Sequence, residues 1–352
     1  MTRHKCLILG ASGLVGQRLQ QRLANHPMFE IGAVAGSSST AGKYLDTIEW
    51  RLNEARPQLP NLKILRANSA ELAQECQKQD IKIAFSGLPA DAAMTVEKEL
   101  TDIGIMVFSN ASAYRRVPGI PLVIPEINLG HLHHSMHYCA TNCTLIPLAI
   151  PVARISDLTN IKSVMMRSEQ ALSGAGWELL NDQSALAGIV DSHIEGEAEK
   201  TKAELLHVLG AIASGTVTPA SFDVNISCAR VSRLDGHQVF VKVVTENIIQ
   251  LSDLIDALND QTSLQHLPSS PTKPIHLVEQ IDPESHLWSN GVEFASKANP
   301  AGDLKTGMAV VVGDIDIEGN EITFSAYSHN TIRGAAGGLV YLAEIVVQKF
   351  LT

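Results

Sequence analysis

The chain has 352 residues, and at roughly 100–200 residues per domain that length predicts two domains. Apolar residues make up 45% and charged residues 18%, which supports a large core and excludes a disordered chain. With 27 Lys and Arg against 37 Asp and Glu, the net charge is -10. Such a chain repels nucleic acid and anionic membranes at long range, so neither is expected as a partner, and an anionic substrate must be met by a few local cations.

The apolar run after Arg3-His4-Lys5 is only Cys6 to Leu9 before Gly10, short of the roughly 7–15 apolar residues of a secretory segment. No stretch approaches the ~18 apolar residues of a spanning helix. A soluble, cytoplasmic protein is expected. The five cysteines, Cys6, Cys76, Cys139, Cys143 and Cys228, are too few and too odd in number for a disulfide framework. Each is packing or chemistry.

Cys6 to Leu9 predicts a buried strand, followed by a glycine turn and a helix over Leu14 to Asn25. Strands are expected at Ile31–Ala35, Ile81–Phe85, Ile105–Phe108 and Leu122–Ile124, with helical stretches between several of them. Continuous apolar strands spaced by helices imply a parallel sheet covered on both faces. After about Thr141 the strands lengthen and alternate: Lys162–Ser168, Asn225–Val231, Gln238–Val244, Met308–Ile315 and Glu321–Tyr327. That pattern predicts a mixed or antiparallel sheet. The serine- and proline-rich stretch Ser263 to Pro274 predicts an exposed loop, and Arg333 to Thr352 an apolar closing helix.

Gly10-Ala-Ser-Gly13-Leu-Val-Gly16 links the first strand to the first helix. The first glycine permits a tight turn, the second a close approach to a pyrophosphate, and the third close packing of helix on sheet. A dinucleotide site is expected, against the plainer alternative of a structural turn. An NAD enzyme usually carries a carboxylate after the second strand. Here Ala33 to Lys43 contains Ser37, Ser38, Ser39, Thr40 and Lys43 and no carboxylate. This favours NADP over a plain hydroxyl-rich loop.

Asn142-Cys143-Thr144 precedes the run Leu145 to Pro151. A helix starting at Cys143 would place its thiol at the positive end of the macrodipole and lower its pKa. Pro147 is tolerable in a first turn and supports that start. Local composition leaves Cys143 and Cys139 equally open to being inert buried thiols. The His131-to-Cys143 stretch holds metal-ligand types but no partner pair downstream, so a solvated loop is expected rather than zinc. His237, after Gly236 at a turn between strands, is an acid/base candidate or a surface histidine.

Together these segments form a family pattern. Gly10–Gly16, Ser109–Arg115, Pro121–Glu126, Asn142–Thr144, Gln170–Gly176, Glu195–Lys200, Cys228–Val231, Asp235–His237 and Ser328–Gly334 are similar to the ordered motifs of aspartate-semialdehyde dehydrogenases, nearest the archaeal and fungal branch. The resemblance spans essentially the whole chain. It implies an α/β Rossmann dinucleotide-binding domain over 1–140, completed by a C-terminal helix over 331–352, and an α+β catalytic and dimerisation domain with a mixed sheet over 141–330. It implies a homodimer, with pairing into tetramers left open. The implied reaction is NADPH-dependent reduction of L-aspartyl-4-phosphate to L-aspartate 4-semialdehyde and phosphate, at the branch to diaminopimelate and lysine, threonine and methionine.

By motif position, Cys143 resembles the nucleophile, His237 the acid/base and Gln170 the residue that orients the acyl group. Arg230 resembles the clamp on the substrate carboxylate and Glu197 the partner of its ammonium. Lys200, Arg115 and Asn110 resemble the phosphate ligands. The cofactor is implied to contact Gly10, Ser12, Gly13, Leu14, Val15, Ser37, Ser39, Thr40, Ser173, Gly174, Asn330 and Gly334; no metal is implied. The chain departs from the pattern at Thr141, Thr144 and Val117-Pro-Gly119, and its loop at Ser38 to Thr40 lacks the arginine that this branch often carries. An acyl-CoA reductase on the same scaffold would not need Arg115, Glu197 and Lys200. A catalytically silent binding homologue would not need Cys143, Gln170, Arg230 and His237 intact.

Overall fold

A computed structural model describes residues 3–213 and 215–351. The first sheet is wholly parallel. It comprises β1 (His4–Leu9), β2 (Phe29–Gly36), β3 (Ile64–Arg66), β4 (Ile83–Ser86), β5 (Met106–Ser109) and β6 (His137–Cys139), in the order β3-β2-β1-β4-β5-β6. The order reverses at β1, where parallel sheets open a crevice at their carboxyl ends. Cys6 to Leu9 are fully buried because both faces are covered. Helix α1 (Leu14–Leu23) supplies Leu19 and Leu23 to one face. Helices α2 (Ala70–Lys78) and α3 (Ala90–Asp102) supply Leu72, Cys76, Val96 and Leu100 to the other.

Helix α4 (Leu145–Leu158) leads into the second sheet, whose longest strand is β7 (Ile161–Gln170). Short helices α5 (Trp177–Leu180) and α6 (Gln183–Leu186) and the longer α7 (Glu197–Val208) follow. A small hairpin pairs β8 (Ala211–Ala213) with β9 (Thr216–Thr218). Then come β10 (Asp223–Arg230), β11 (His237–Thr245), α8 (Leu251–Leu258), β12 (Ile275–Leu277), β13 (Val310–Glu318) and β14 (Glu321–Ser328). The order β10-β7-β11-β14-β13-β12 mixes parallel and antiparallel pairs. One face packs Val164, Val239 and Val241 against Leu145, Ile150 and Leu254 of α4 and α8. The other face leaves Met165, Arg167, Phe240 and Lys242 at least partly exposed. The closing helix α9 (Gly337–Phe350) joins the core of the first sheet, with Leu339, Val340 and Val346 fully buried beside Ile8 and Val34.

Four expectations change. Leu122–Ile124 is not a ladder strand: it makes one bridge, Leu122 to Cys139, while the Asn128 side chain takes the Ile124 amide and the Leu122 carbonyl. The sixth strand is instead His137–Cys139, inside the stretch expected to be a solvated loop. His137 is buried 3.0 Å from Glu97, a carboxylate neighbour contributed by α3 that local composition does not reveal. Ser263–Pro274 is partly buried because the Ser269 amide donates to the Glu344 carboxylate and Tyr341 to Ser270. The last helix begins at Gly337, after a wide turn over Ile332–Ala336 in which Gly334 bonds back to His329 and Ala336 to Thr331.

Candidate active site

At the carboxyl end of β1, Gly10 adopts φ +74° and its amide and that of Ala11 bond to Ala35 of β2. A side chain at Gly16 would sit 2.1 Å from the Gly10 carbonyl, so only glycine lets α1 start so close to the strand. Helix α1 has no acidic residue in its first turn and no side-chain cap at Gly13. Its N-terminal amides are therefore open to an anion. Ser12, Gly13 and Val15 are partly exposed and Leu14 is buried. Ser37, Ser39 and Thr40 follow β2, with Ser37 and Ser39 exposed, their hydroxyls 2.7 Å apart and the Thr40 hydroxyl on the Ser37 carbonyl. A cavity of about 390 Å³, lined by Leu14, Arg18, Trp50, Ser173, Trp177 and Thr331 among others, connects this turn to the second sheet. Arg18, deep in it, pairs with Glu54 and Asp235 and bonds to Thr331. Cys143 and His237 do not line this cavity.

The second cluster lies where β7 and β10 end and β11 begins, beside α4 and α7. Pairing of β10 with β7 sets Arg230 opposite Gln170 and Cys228 opposite Ser168. His237 is the first residue of β11, fully buried, and not the exposed turn residue that a glycine before it suggests. Its Nδ1 accepts the Ala171 amide at 3.1 Å, while Nε2 has no partner among the described residues. The neutral ring therefore carries its proton on Nε2. Burial first, then Arg230, lowers the His237 pKa to about 3. Arg230 donates to the Ala171 carbonyl at 2.7 Å. Gly174 separates these two side chains: a Cβ there would lie 2.9 Å from the Arg230 guanidinium and 3.0 Å from the His237 ring. Gly334, on the wide turn before α9, abuts Cys143, and a Cβ there would lie 2.7 Å from that of Cys143.

Cys143 precedes α4 by two residues, so the expected helix start is displaced. Pro147 does fall in the first turn, but Pro151 lies inside the helix. The thiol is not lowered as a helix start at Cys143 would predict. Burial and the Glu197 carboxylate push it up to about 12, opposed by Arg115 and Arg230. A thiol raised in this way is protonated at neutral pH.

Glu197 opens α7 and its Oε1 accepts from Asn142 Nδ2 at 2.9 Å, Thr144 Oγ1 at 3.3 Å and Gln170 Nε2 at 3.3 Å. One carboxylate thus ties both flanks of Cys143 to Gln170. Arg115 donates to the Asn110 carbonyl at 2.7 Å, and the Arg115 Nε and the Asn110 side-chain amide nitrogen are buried without partners among the described residues. Asn330 bonds Ser173 and the Gly236 amide, holding the turn before His237. Lys200 is exposed in the first turn of α7 and makes no ion pair among the described residues, not even with Glu197 three residues before it. A cation there opposes the helix dipole, which an incoming anion would relieve.

Glu204 was not foreseen. It is 3% exposed, pairs with Arg115 at 3.1 Å and accepts the Asn142 amide at 2.6 Å. It stands seven residues after Glu197, two turns along the same helix face, and that spacing was the available signal. Cys228 lies near Arg230, Gln170 and Ser168. Cys6, Cys76 and Cys139 are buried packing.

Residues 5–135 match the family described as Semialdehyde dehydrogenase, NAD binding domain. The aspartate-semialdehyde dehydrogenase of Methanothermobacter thermautotrophicus is 34% identical, with 96% of this chain and 97% of that protein covered. That of Archaeoglobus fulgidus is 33% identical over 99% of both, and that of Saccharomyces cerevisiae 31% over 98% of both. Among solved structures, the Candida albicans aspartate semialdehyde dehydrogenase with NADP matches with a TM-score of 0.81 and 26% identity, over 99% of this chain and 100% of that one. With a parallel nucleotide-type sheet, a mixed second sheet and full-length relatives above 30% identity, the chain belongs to the aspartate-semialdehyde dehydrogenase family.

Proposed function

We propose that the protein reduces L-aspartyl-4-phosphate to L-aspartate 4-semialdehyde and phosphate with NADPH, through a thioester on Cys143. The observation that carries this reading is the convergence of Arg230 and His237 on Gly174, of Cys143 on Gly334, and of Gln170 with both flanks of Cys143 on the Glu197 carboxylate. NADP suits the uncapped N-terminus of α1 and the carboxylate-free loop after β2. Ser12 to Val15 would face its pyrophosphate, Ser37, Ser39 and Thr40 its ribose end, and Ser173, Gly174, Asn330 and Gly334 its reactive end. When bound, it supplies the hydride.

Arg230 holds the substrate α-carboxylate, for which a guanidinium fork is well shaped. Glu197, whose Oε2 takes none of the bonds made by Oε1, receives the ammonium. Arg115, the Asn110 amide and Lys200 hold the phosphate. A dianion in that pocket supplies the hydrogen-bond acceptors that the Arg115 Nε and Asn110 Nδ2 lack. Cys143 then attacks the acyl carbon: the C–S bond forms, the C–O bond to phosphate breaks, and the thiol proton leaves on the phosphate dianion. In its resting tautomer His237 presents Nε2–H, a donor that stabilises oxyanion charge on the acyl oxygen.

An acyl-CoA reductase would have no use for an unpaired Lys200 facing solvent beside Glu197. Residues 1–140 with 331–352 form the nucleotide domain in this reading, and 141–330 the catalytic domain. The open face of the second sheet, with Met165 41% exposed and Arg167 stacked 4.2 Å over Phe240, is where a second copy packs to make the dimer. The test is NADP reduction with aspartate semialdehyde and phosphate, run beside NAD and beside Cys143→Ala. Phosphate-dependent NADPH formation that vanishes in the variant supports the reading. Equal rates without phosphate contradict it.

A further inference from the structure

The loop after β2 offers hydroxyls at the strand end, its one cation Lys43 lying two residues back, and hydroxyls alone leave a dianion largely uncompensated. The neighbouring strand supplies the charge. Parallel pairing sets Arg66, the last residue of β3, directly beside Gly36, the last residue of β2, and the following Ala67 amide bonds the Gly36 carbonyl. Partners in a parallel ladder point to the same face. The Cβ direction at Gly36 runs into the Thr40 hydroxyl at 2.5 Å, so the Arg66 side chain leaves the sheet on the face that carries Thr40. Arg66 is exposed, makes no ion pair among the described residues, and bonds only through Nε to Asn68 at 3.1 Å. Its two terminal nitrogens are uncommitted.

The other cations nearby are placed differently. Lys43 is level with Ile64, whose amide bonds the Lys43 carbonyl, two residues back from the strand end. Lys63 lies 3.9 Å from Glu71, and Arg56 is spent on the carbonyls of Leu45, Asp46 and Ile48. We propose that Arg66 is the specificity-determining cation for the coenzyme 2′-phosphate, acting with Ser37, Ser39 and Thr40. This rests on the NADP reading given under Proposed function. Sequence spacing conceals it, because Arg66 stands 26 positions after Thr40 and only the β2–β3 register brings them together.

The experiment is calorimetric titration of the full-length protein and Arg66→Ala with NADPH, NADH, adenosine 2′,5′-bisphosphate and 5′-AMP, alongside melting temperatures. The expected result is a loss of NADPH and bisphosphate affinity of roughly tenfold to a hundredfold, the scale of hydrogen bonds to a charged group. NADH and 5′-AMP affinities and the melting temperature should stay unchanged. An unchanged NADPH-to-NADH ratio would overturn the assignment, as would an equal loss for all four ligands. If the parent protein bound NADPH no better than NADH, the NADP reading itself would fall. A parent that prefers NADPH with a variant that keeps the preference removes Arg66 alone.

Discussion

The two halves of the site are built in opposite ways. The nucleotide turn is made of backbone from one contiguous stretch, Gly10 to Gly16, and depends on what is missing: side chains at Gly10 and Gly16 and a carboxylate in the first turn of α1. The acyl corner is made of side chains drawn from β7, the start of α7, β10, β11 and the residues before α4, held by one carboxylate between Asn142, Thr144 and Gln170. The first should tolerate loss of a side chain and resist gain of a methyl. The second should be sensitive to both.

The most severe break is Cys143→Ala, expected to lower turnover by about 10⁴-fold or more, on the scale of removing a covalent nucleophile; a steady-state assay against protein of equal melting temperature measures it. His237→Asn should lower kcat by about 10²–10⁴-fold with KM little changed, as for a positioned acid or donor. Gly174→Ala adds one methyl 2.9 Å from Arg230 and 3.0 Å from His237; a displacement of that kind costs about 10²-fold. In contrast, Ser12→Ala at the glycine turn should change NADPH affinity by no more than about tenfold, since one neutral hydrogen bond is worth about 0.5–1.5 kcal/mol. If Ser12→Ala matched Gly174→Ala, the contrast between the halves would fail.

Glu204→Gln sharpens the comparison through stability. Removing one partner of a buried pair costs about 3–5 kcal/mol, so urea unfolding should show a large loss, accompanied by a raised KM for phosphate because Arg115 is released. An effect on stability of similar size is in pH. His237 has a folded pKa of about 3 against an ordinary 6.5, so below pH 6.5 the unfolded chain binds the extra proton. Stability present at neutral pH is therefore lost progressively from about pH 6.5 down to about 3. Melting curves of His237→Asn should fall less steeply across that window.

The legibility of the two halves follows the same division. The glycine turn and the strand-helix alternation were readable because their signals are local. The same is true of β7, β10, β11, β13 and β14, each within a few residues of its expected span. Within the acyl corner the sequence supplied residue types and motif order but not contacts. Glu204, Arg66 and the Glu97–His137 pair became visible only with the register and helix packing that join distant segments. The expected low pKa of Cys143 failed for the same reason. A helix dipole is a local inference, whereas burial and Glu197, which dominate, come from elsewhere in the chain.

The central claim is that Cys143 takes the acyl group from phosphate inside this corner. Rapid mixing of the protein with aspartyl phosphate in the absence of any nicotinamide coenzyme, followed by phosphate quantitation and peptide mass spectrometry, tests it directly. The expected result is a burst approaching one phosphate per active chain, with an aspartyl adduct on the peptide containing Cys143 and neither in Cys143→Ala. A burst that survives Cys143→Ala, or an adduct on Cys139 or Cys228, would contradict it.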